Sequence, residues 1–256
     1  MSSAYHEENI THFSPWPLVV TLGLAVFFIG VAAWALGLGL GVLGLGIIVF
    51  AVGAVGWLKE TFIAIEEPPG MQWPFEGFSK LKLGVWIFLA GEIMLFGTVL
   101  GSGMYLRINA LTWPVARQLN ISFGTLMTYI LLASALTFSL GEAAIRNGNV
   151  TGLRFGLILT FLLGAGFIGV KAVEWSEMFK HGISFSSGLA ASTYFFTTGL
   201  HGGHVIIGLI GLLYFLGKSL MGGITKESHE TLTLFGLYWI FVDTVWLFIF
   251  PIIYLW

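Results

Sequence analysis

Seven runs of apolar residues, each long enough to cross a bilayer, occupy most of this chain of 256 residues. A membrane-spanning helix needs about 20 such residues at a rise of about 1.5 Å each. The segments 16–36, 40–58, 83–106, 121–145, 153–179, 188–217 and 231–256 meet that requirement. In hydrocarbon, backbone N–H and C=O groups must be satisfied internally, so runs of this length read as α-helices. The fold class that follows is all-α: a polytopic membrane protein with seven transmembrane helices in one domain over residues 1–256. Pro15 to Trp57 contains no charged residue, and a single span of that length would exceed a bilayer. Gly37, Gly39, Gly41, Gly44 and Gly46 therefore supply the hairpin that makes two crossings of it.

Composition narrows the class further. Charged residues are 9% of the chain and hydrophobic residues 57%, against about 25% charged in soluble domains. Eleven Lys and Arg against 13 Asp and Glu leave no basic surplus for nucleic acid. The absence of Cys excludes disulfides, iron–sulfur ligation and thiolate copper or zinc sites within the chain. Met1–His12 holds Glu7 and Glu8 and no Lys or Arg, so no signal peptide is expected and the first helix is retained. With the N-terminus inside, the inner face carries Lys59, Lys80, Lys82, Arg146, Arg154, Lys218 and Lys226, and the outer face Arg107, Arg117 and Lys180. This asymmetry predicts an N-terminus inside and a C-terminus outside. The longest polar connection, 59–82, is broken by Pro68, Pro69 and Pro74. Trp16, Trp73, Trp113 and Trp256 fall near span ends as interfacial aromatics. Gly97 with Gly101, Gly152 with Gly156, and Gly199 with Gly203 offer small faces for close helix contact.

The polar residues inside the spans carry the functional information. A charge at the centre of a membrane helix costs roughly 2.5–3.5 kcal/mol on the insertion scale, so each must face protein or water. Glu92 lies near the middle of the third span with no cation in its own helix. It is expected to be protonated or paired across helices, and it is the leading functional candidate. Lys171 and Glu174 are three apart on the fifth span and can pair with each other. His201 and His204 have the same spacing on the sixth. They lack further ligands nearby and are expected to make interhelical hydrogen bonds rather than to bind metal. Asp243 sits midway along the seventh between Trp239 and Trp246, where a bond to a neighbouring helix is expected.

Two of these spans contain the most specific patterns: Gly199-Leu200-His201-Gly202-Gly203-His204, and Phe241-Val242-Asp243-Thr244-Val245-Trp246-Leu247. With Ser14-Pro15-Trp16-Pro17, Trp57-Leu58-Lys59-Glu60, Lys82-Leu83-Gly84 ahead of Phe88 and Glu92, and Glu174-Trp175, they resemble subunit III of the haem–copper terminal oxidases from about Ser14 to the end. The chain departs from the family pattern at Ile63, Ala64, Glu142, Ala143 and Ile240. The resemblance implies a V-shaped fold, with helices 1–2 set against helices 3–7 and a lipid cleft between them. It makes Trp57, Lys59 and Glu60 lipid-cleft candidates, and it places Glu92 where the family has a carbodiimide-reactive carboxyl linked to proton uptake. It implies an accessory subunit of a proton-pumping oxidase of aerobic respiration, with no redox centre and no catalytic residue of its own. Oxidase subunits I and II would be its partners, with haems and copper held in those subunits. Bound phospholipid is expected, in a prokaryotic plasma membrane or the mitochondrial inner membrane. The electron donor, cytochrome c or quinol, stays open. The residues agree with a redox-free role, because the two intramembrane histidines are too few for the oxygen-reducing subunit and the dinuclear-copper subunit needs cysteines. The competing class is a small proton- or ion-coupled transporter or channel, using Glu92, Lys171, Glu174 and Asp243 as a relay. Its signature would be an internal repeat with broken helices, and the sequence shows no such repeat.

Overall fold

The computed structural model of the chain describes residues 14–35, 37–63, 80–113 and 119–256. The N-terminal segment before Ser14, Trp73 with the proline-rich part of the 59–82 connection, Ala64 and Arg117 lie outside the described residues. The described residues form seven α-helices: α1 (Trp16–Ala35), α2 (Gly41–Ile63), α3 (Lys80–Ile108), α4 (Ile121–Arg146), α5 (Val150–Lys180), α6 (Leu189–Leu220) and α7 (Glu230–Phe250). No strand occurs among them. A π turn, Pro251–Leu255, continues α7. The segments bearing α3 to α7 are long and apolar enough to cross a membrane. The described apolar stretches of α1 and α2, Trp16–Gly30 and Gly41–Trp57, are shorter. Several helices overrun their apolar runs, most of all α2, by five residues. α2 continues through Lys59 and Glu60 to Ile63, and α5 begins at Val150. Polar residues at a span end sit where water returns, and they propagate the helix without a membrane penalty.

The helices fall into two compact units, 1–74 and 75–256. In the first, α1 and α2 form an antiparallel pair in contact along their length. Gly37 (φ 76°) and Gly39 (φ 92°) take the left-handed conformations of the turn, as the glycine tract predicted. Gly41, Gly44 and Gly46, by contrast, belong to α2. A Cβ at Gly46 would run into the backbone of Phe27, and one at Gly23 into that of Phe50. At the open end of the pair, Ser14 Oγ donates to Glu60 Oε2.

In the second unit α4 and α5 form the most extensive pair, and α7 packs on α4 and α6. Asn120 and Asn149 start α4 and α5 by accepting from Ser122 N and Gly152 N, satisfying exposed helix-end donors. Gly156 meets Gly141 across the pair, and a Cβ there would lie 2.7 Å from the Gly141 Cα. The expected glycine contact at Gly97 and Gly101 does not occur, since neither has a neighbour within 4 Å among the described residues. Gly203 has none either, while Gly199 faces Trp175. The core is aromatic, with Trp239, Trp246, Phe138 and Phe167 fully buried. Lipid is as apolar as these side chains, so close packing and polar bonds hold such a bundle together.

Candidate functional site

Glu92 on α3 and His204 on α6 meet across the bundle. His204 Nε2 lies 3.1 Å from Glu92 Oε2, and both side chains are largely buried. His204 Nδ1 lies 2.8 Å from the carbonyl oxygen of Leu200. A carbonyl can only accept, so Nδ1 carries a hydrogen. In a neutral imidazole Nε2 is then an acceptor. A carboxylate and a bare ring nitrogen cannot bond to each other, so one proton lies between Glu92 and His204. Either the carboxylic acid donates to the imidazole or the imidazolium donates to the carboxylate. Tyr238 on α7 donates to the His204 carbonyl at 2.9 Å, fixing α6 at the same turn. The ring of Phe96, one turn beyond Glu92, stands edge-on to His204 at 5.0 Å. Glu92 was expected to be protonated or paired across helices, and it pairs across helices with His204.

Lys171 and Glu174 form the pair their spacing predicted, at 2.6 Å and almost without exposure. Two tyrosines complete it. Lys171 Nζ also donates to Tyr254 Oη at 2.6 Å. Tyr194 and Tyr254 both donate to Glu174 Oε2, at 2.9 and 2.8 Å. The ammonium lies 4.9 Å from the centre of the Trp246 ring and over both tyrosine rings. Such cation–π contacts are worth about 0.5–2 kcal/mol each where water is excluded. Tyr254 reaches the pair because the π turn carries it there. Pro251 has no N–H, and the wider turn closes with Trp256 N donating to Pro251 O at 3.1 Å.

His201 differs from its neighbour on α6. It is fully buried, and neither ring nitrogen has a hydrogen-bond partner among the described residues. Phe96, Phe167 and Trp246 pack around it, with ring centres at 6.3, 5.5 and 5.3 Å. The expectation of an interhelical hydrogen bond is met at His204 and not at His201.

Asp243 bonds to a neighbouring helix as expected, with Ser134 on α4 at 3.1 Å from Oδ2. Ser134 Oγ lies 2.8 Å from the Leu131 carbonyl and accepts from Trp239 Nε1 at 3.2 Å. The hydroxyl has one hydrogen. When that hydrogen goes to Leu131, the bond to Asp243 requires the aspartic acid to donate. Trp246 Nε1 donates to Thr128 at 3.0 Å, so both tryptophans flanking Asp243 anchor α7 to α4. Among the described residues, Asp243 hydrogen-bonds to Ser134, apart from the Glu92–His204 and Lys171–Glu174 pairs.

The remaining candidates, Trp57, Lys59 and Glu60, lie together at the end of α2 in the other unit. No three His, Asp or Glu side chains among the described residues stand close enough to hold a metal. Sequence reading missed Tyr194, Tyr254, Tyr238 and Ser134. Their only signal was polar atoms inside otherwise apolar spans.

Comparison with known proteins bears on this arrangement. The family profile described as cytochrome c oxidase subunit III matches residues 4–256. The chain is similar to a cytochrome c oxidase subunit 3 of Alkalihalophilus pseudofirmus, 35% identical over 70% of this chain and 88% of that protein. It is similar to a quinol oxidase subunit 3 of Bacillus subtilis, 33% identical over 68% of this chain and 85% of that protein. It is also 29% identical, over 78% of its length, to a haem–copper oxidase subunit I+III of Aeropyrum pernix, of which the match spans only 26%.

Proposed function

Because this chain belongs to the cytochrome c oxidase subunit III family, we propose that it serves a haem–copper oxidase as an accessory membrane subunit that sustains proton uptake and stabilises the complex. Subunits I and II are its partners in this reading. They hold the haems and copper, and subunit I reduces oxygen to water. The A. pernix relative, named as subunit I+III, supports subunit I as the immediate neighbour. Relatives named for both cytochrome c and quinol oxidases leave either donor compatible with the chain. Phospholipid binds near Trp57, Lys59 and Glu60, which bring an indole, a cation and a carboxylate to the same end of α2. The two helical units act as one subunit in a prokaryotic plasma membrane, with the N-terminus inside and the C-terminus outside.

The observation that carries the proton role is the buried contact between Glu92 Oε2 and His204 Nε2, whose hydrogen bond requires one proton on either partner. A buried pair that keeps one proton in either of two positions can accept or release it with little rearrangement. The bonds of Lys171–Glu174 and of Asp243 tie helices to each other as well. Replacement of Glu92 by Ala in the assembled complex tests the assignment. Haem spectra and initial oxygen consumption are expected to stay unchanged, while sustained turnover falls and the working lifetime shortens. An unchanged lifetime with unchanged proton pumping would remove Glu92 from proton supply.

A further inference from the structure

A cavity of about 170 Å³ opens where α4 begins and α5 ends. Its polar lining is Asn120, Glu174, Glu177 and His181, and Met178 and Ile183 are among its apolar walls. Glu174 is 3% exposed. Its Oε2 receives Lys171, Tyr194 and Tyr254, yet its Oε1 is buried and has no hydrogen-bond partner among the described residues. A buried carboxylate oxygen is normally satisfied, by protein or by ordered water. The cavity has the room, since one water needs only about 10–15 Å³ by this measure, and it has the polar partners.

The charge of the lining has a sign. Lys171 neutralises Glu174 at 2.6 Å. That leaves the Glu177 carboxylate as the charge of the lining, since the partially negative carbonyl end of α5 is opposed by the partially positive N–H end of α4 at Asn120. His181 Nδ1 is engaged by the Glu177 carbonyl at 2.8 Å, so Nε2 of the neutral ring is free to accept a proton. Lys180 is not among the lining residues. We propose that this cavity is a water-filled, cation-attracting well that brings small cations, hydronium included, to Glu174 from one face of the membrane. The aromatic packing of Phe167, His201 and Trp246 lies beside the Lys171 end of the pair. Of the two members of the pair, Glu174 is the one that lines this cavity.

The chain has no cysteine, so an introduced thiol is unambiguous. Met178→Cys lines the well, and Met127→Cys, at a fully buried core position, is the dry control. A methanethiosulfonate reacts with the thiolate, which forms only where water reaches the sulfur; the mixed disulfide forms and methanesulfinate leaves. Native membranes are treated with the aminoethyl (cationic) or sulfonatoethyl (anionic) reagent, and the modified peptide is counted by mass spectrometry. Met178→Cys is expected to react several-fold faster with the cationic reagent, Met127→Cys with neither. Adding Glu177→Gln is expected to bring the two rates together. Where Met178→Cys lowers the amount of chain in the membrane, Phe123→Cys reads the same cavity from α4 and must give the same order. An unreactive thiol at both positions, or an anionic rate equal to the cationic one, would overturn the proposal.

Discussion

At the scale of single residues, one partner missing matters more than one partner gained. Lys171 and Glu174 are both nearly without exposure, and removing one leaves the other charged and unpaired. Lys171→Met is therefore expected to lower stability by about 3–5 kcal/mol, with much of the loss recovered in Lys171→Met/Glu174→Leu. Thermal unfolding of the complex in mild detergent measures both, and a single variant as stable as the parent would contradict the pairing. Asp243 gives a sharper contrast. An amide can accept from Ser134 through its oxygen or donate to it through its nitrogen, so Asp243→Asn is expected to be nearly neutral. Asp243→Leu leaves Ser134 without that partner and is expected to cost about 1–3 kcal/mol on the same measurement. The Lys171–Glu174 contact was legible because three-residue spacing on a helix fixes it. The Glu92–His204 contact joins residues 112 apart, and nothing in the local pattern of either helix specifies the other. Tyr194 and Tyr254 were illegible for the same reason, and because the π turn that delivers Tyr254 has no periodicity to read.

At the scale of helices, small residues decide how close two backbones come. Sequence reading sought glycines four apart and found the real contact at Gly152 and Gly156, where Ala144 and Gly141 approach. It missed the α1–α2 contact, whose glycines stand seven apart at Gly23 and Gly30 and again at Gly46 and Gly53. Seven residues are two helical turns, so each pair shares one face. Gly156→Leu is expected to force α4 from α5 and to cost at least about 1–3 kcal/mol, seen as loss of folded subunit from the membrane. Gly97→Ala and Gly101→Ala, whose added Cβ meets nothing within 4 Å among the described residues, are expected to leave the chain's own stability unchanged. Equal losses at Gly156 and Gly97 would mean that packing within this chain does not set the difference.

At the scale of the whole molecule, the apolar runs made the helix number legible, because runs of about 20 residues match a membrane-spanning helix and are too long for the strands of a barrel. Family membership was legible in the His-Gly-Gly-His and Val-Asp-Thr-Val-Trp runs, while the donor was not, since both donor types occur among its relatives. The basic-residue asymmetry makes topology testable. Reporter tags at Ser2 and Trp256 are expected on opposite faces, and labelling of both from one face would require an even number of crossings. The central claim is that the chain is an accessory oxidase subunit with no redox centre of its own, and purification tests it most directly. The tagged chain is isolated from native membranes in mild detergent, and its visible spectrum and oxygen consumption are recorded before and after it is stripped from its partners. Haem absorbance and oxygen reduction are expected to co-elute with the chain and to remain with the partners after stripping. A chain that purifies alone without haem and carries ion flux in vesicles, or one that keeps stoichiometric haem after stripping, would contradict it.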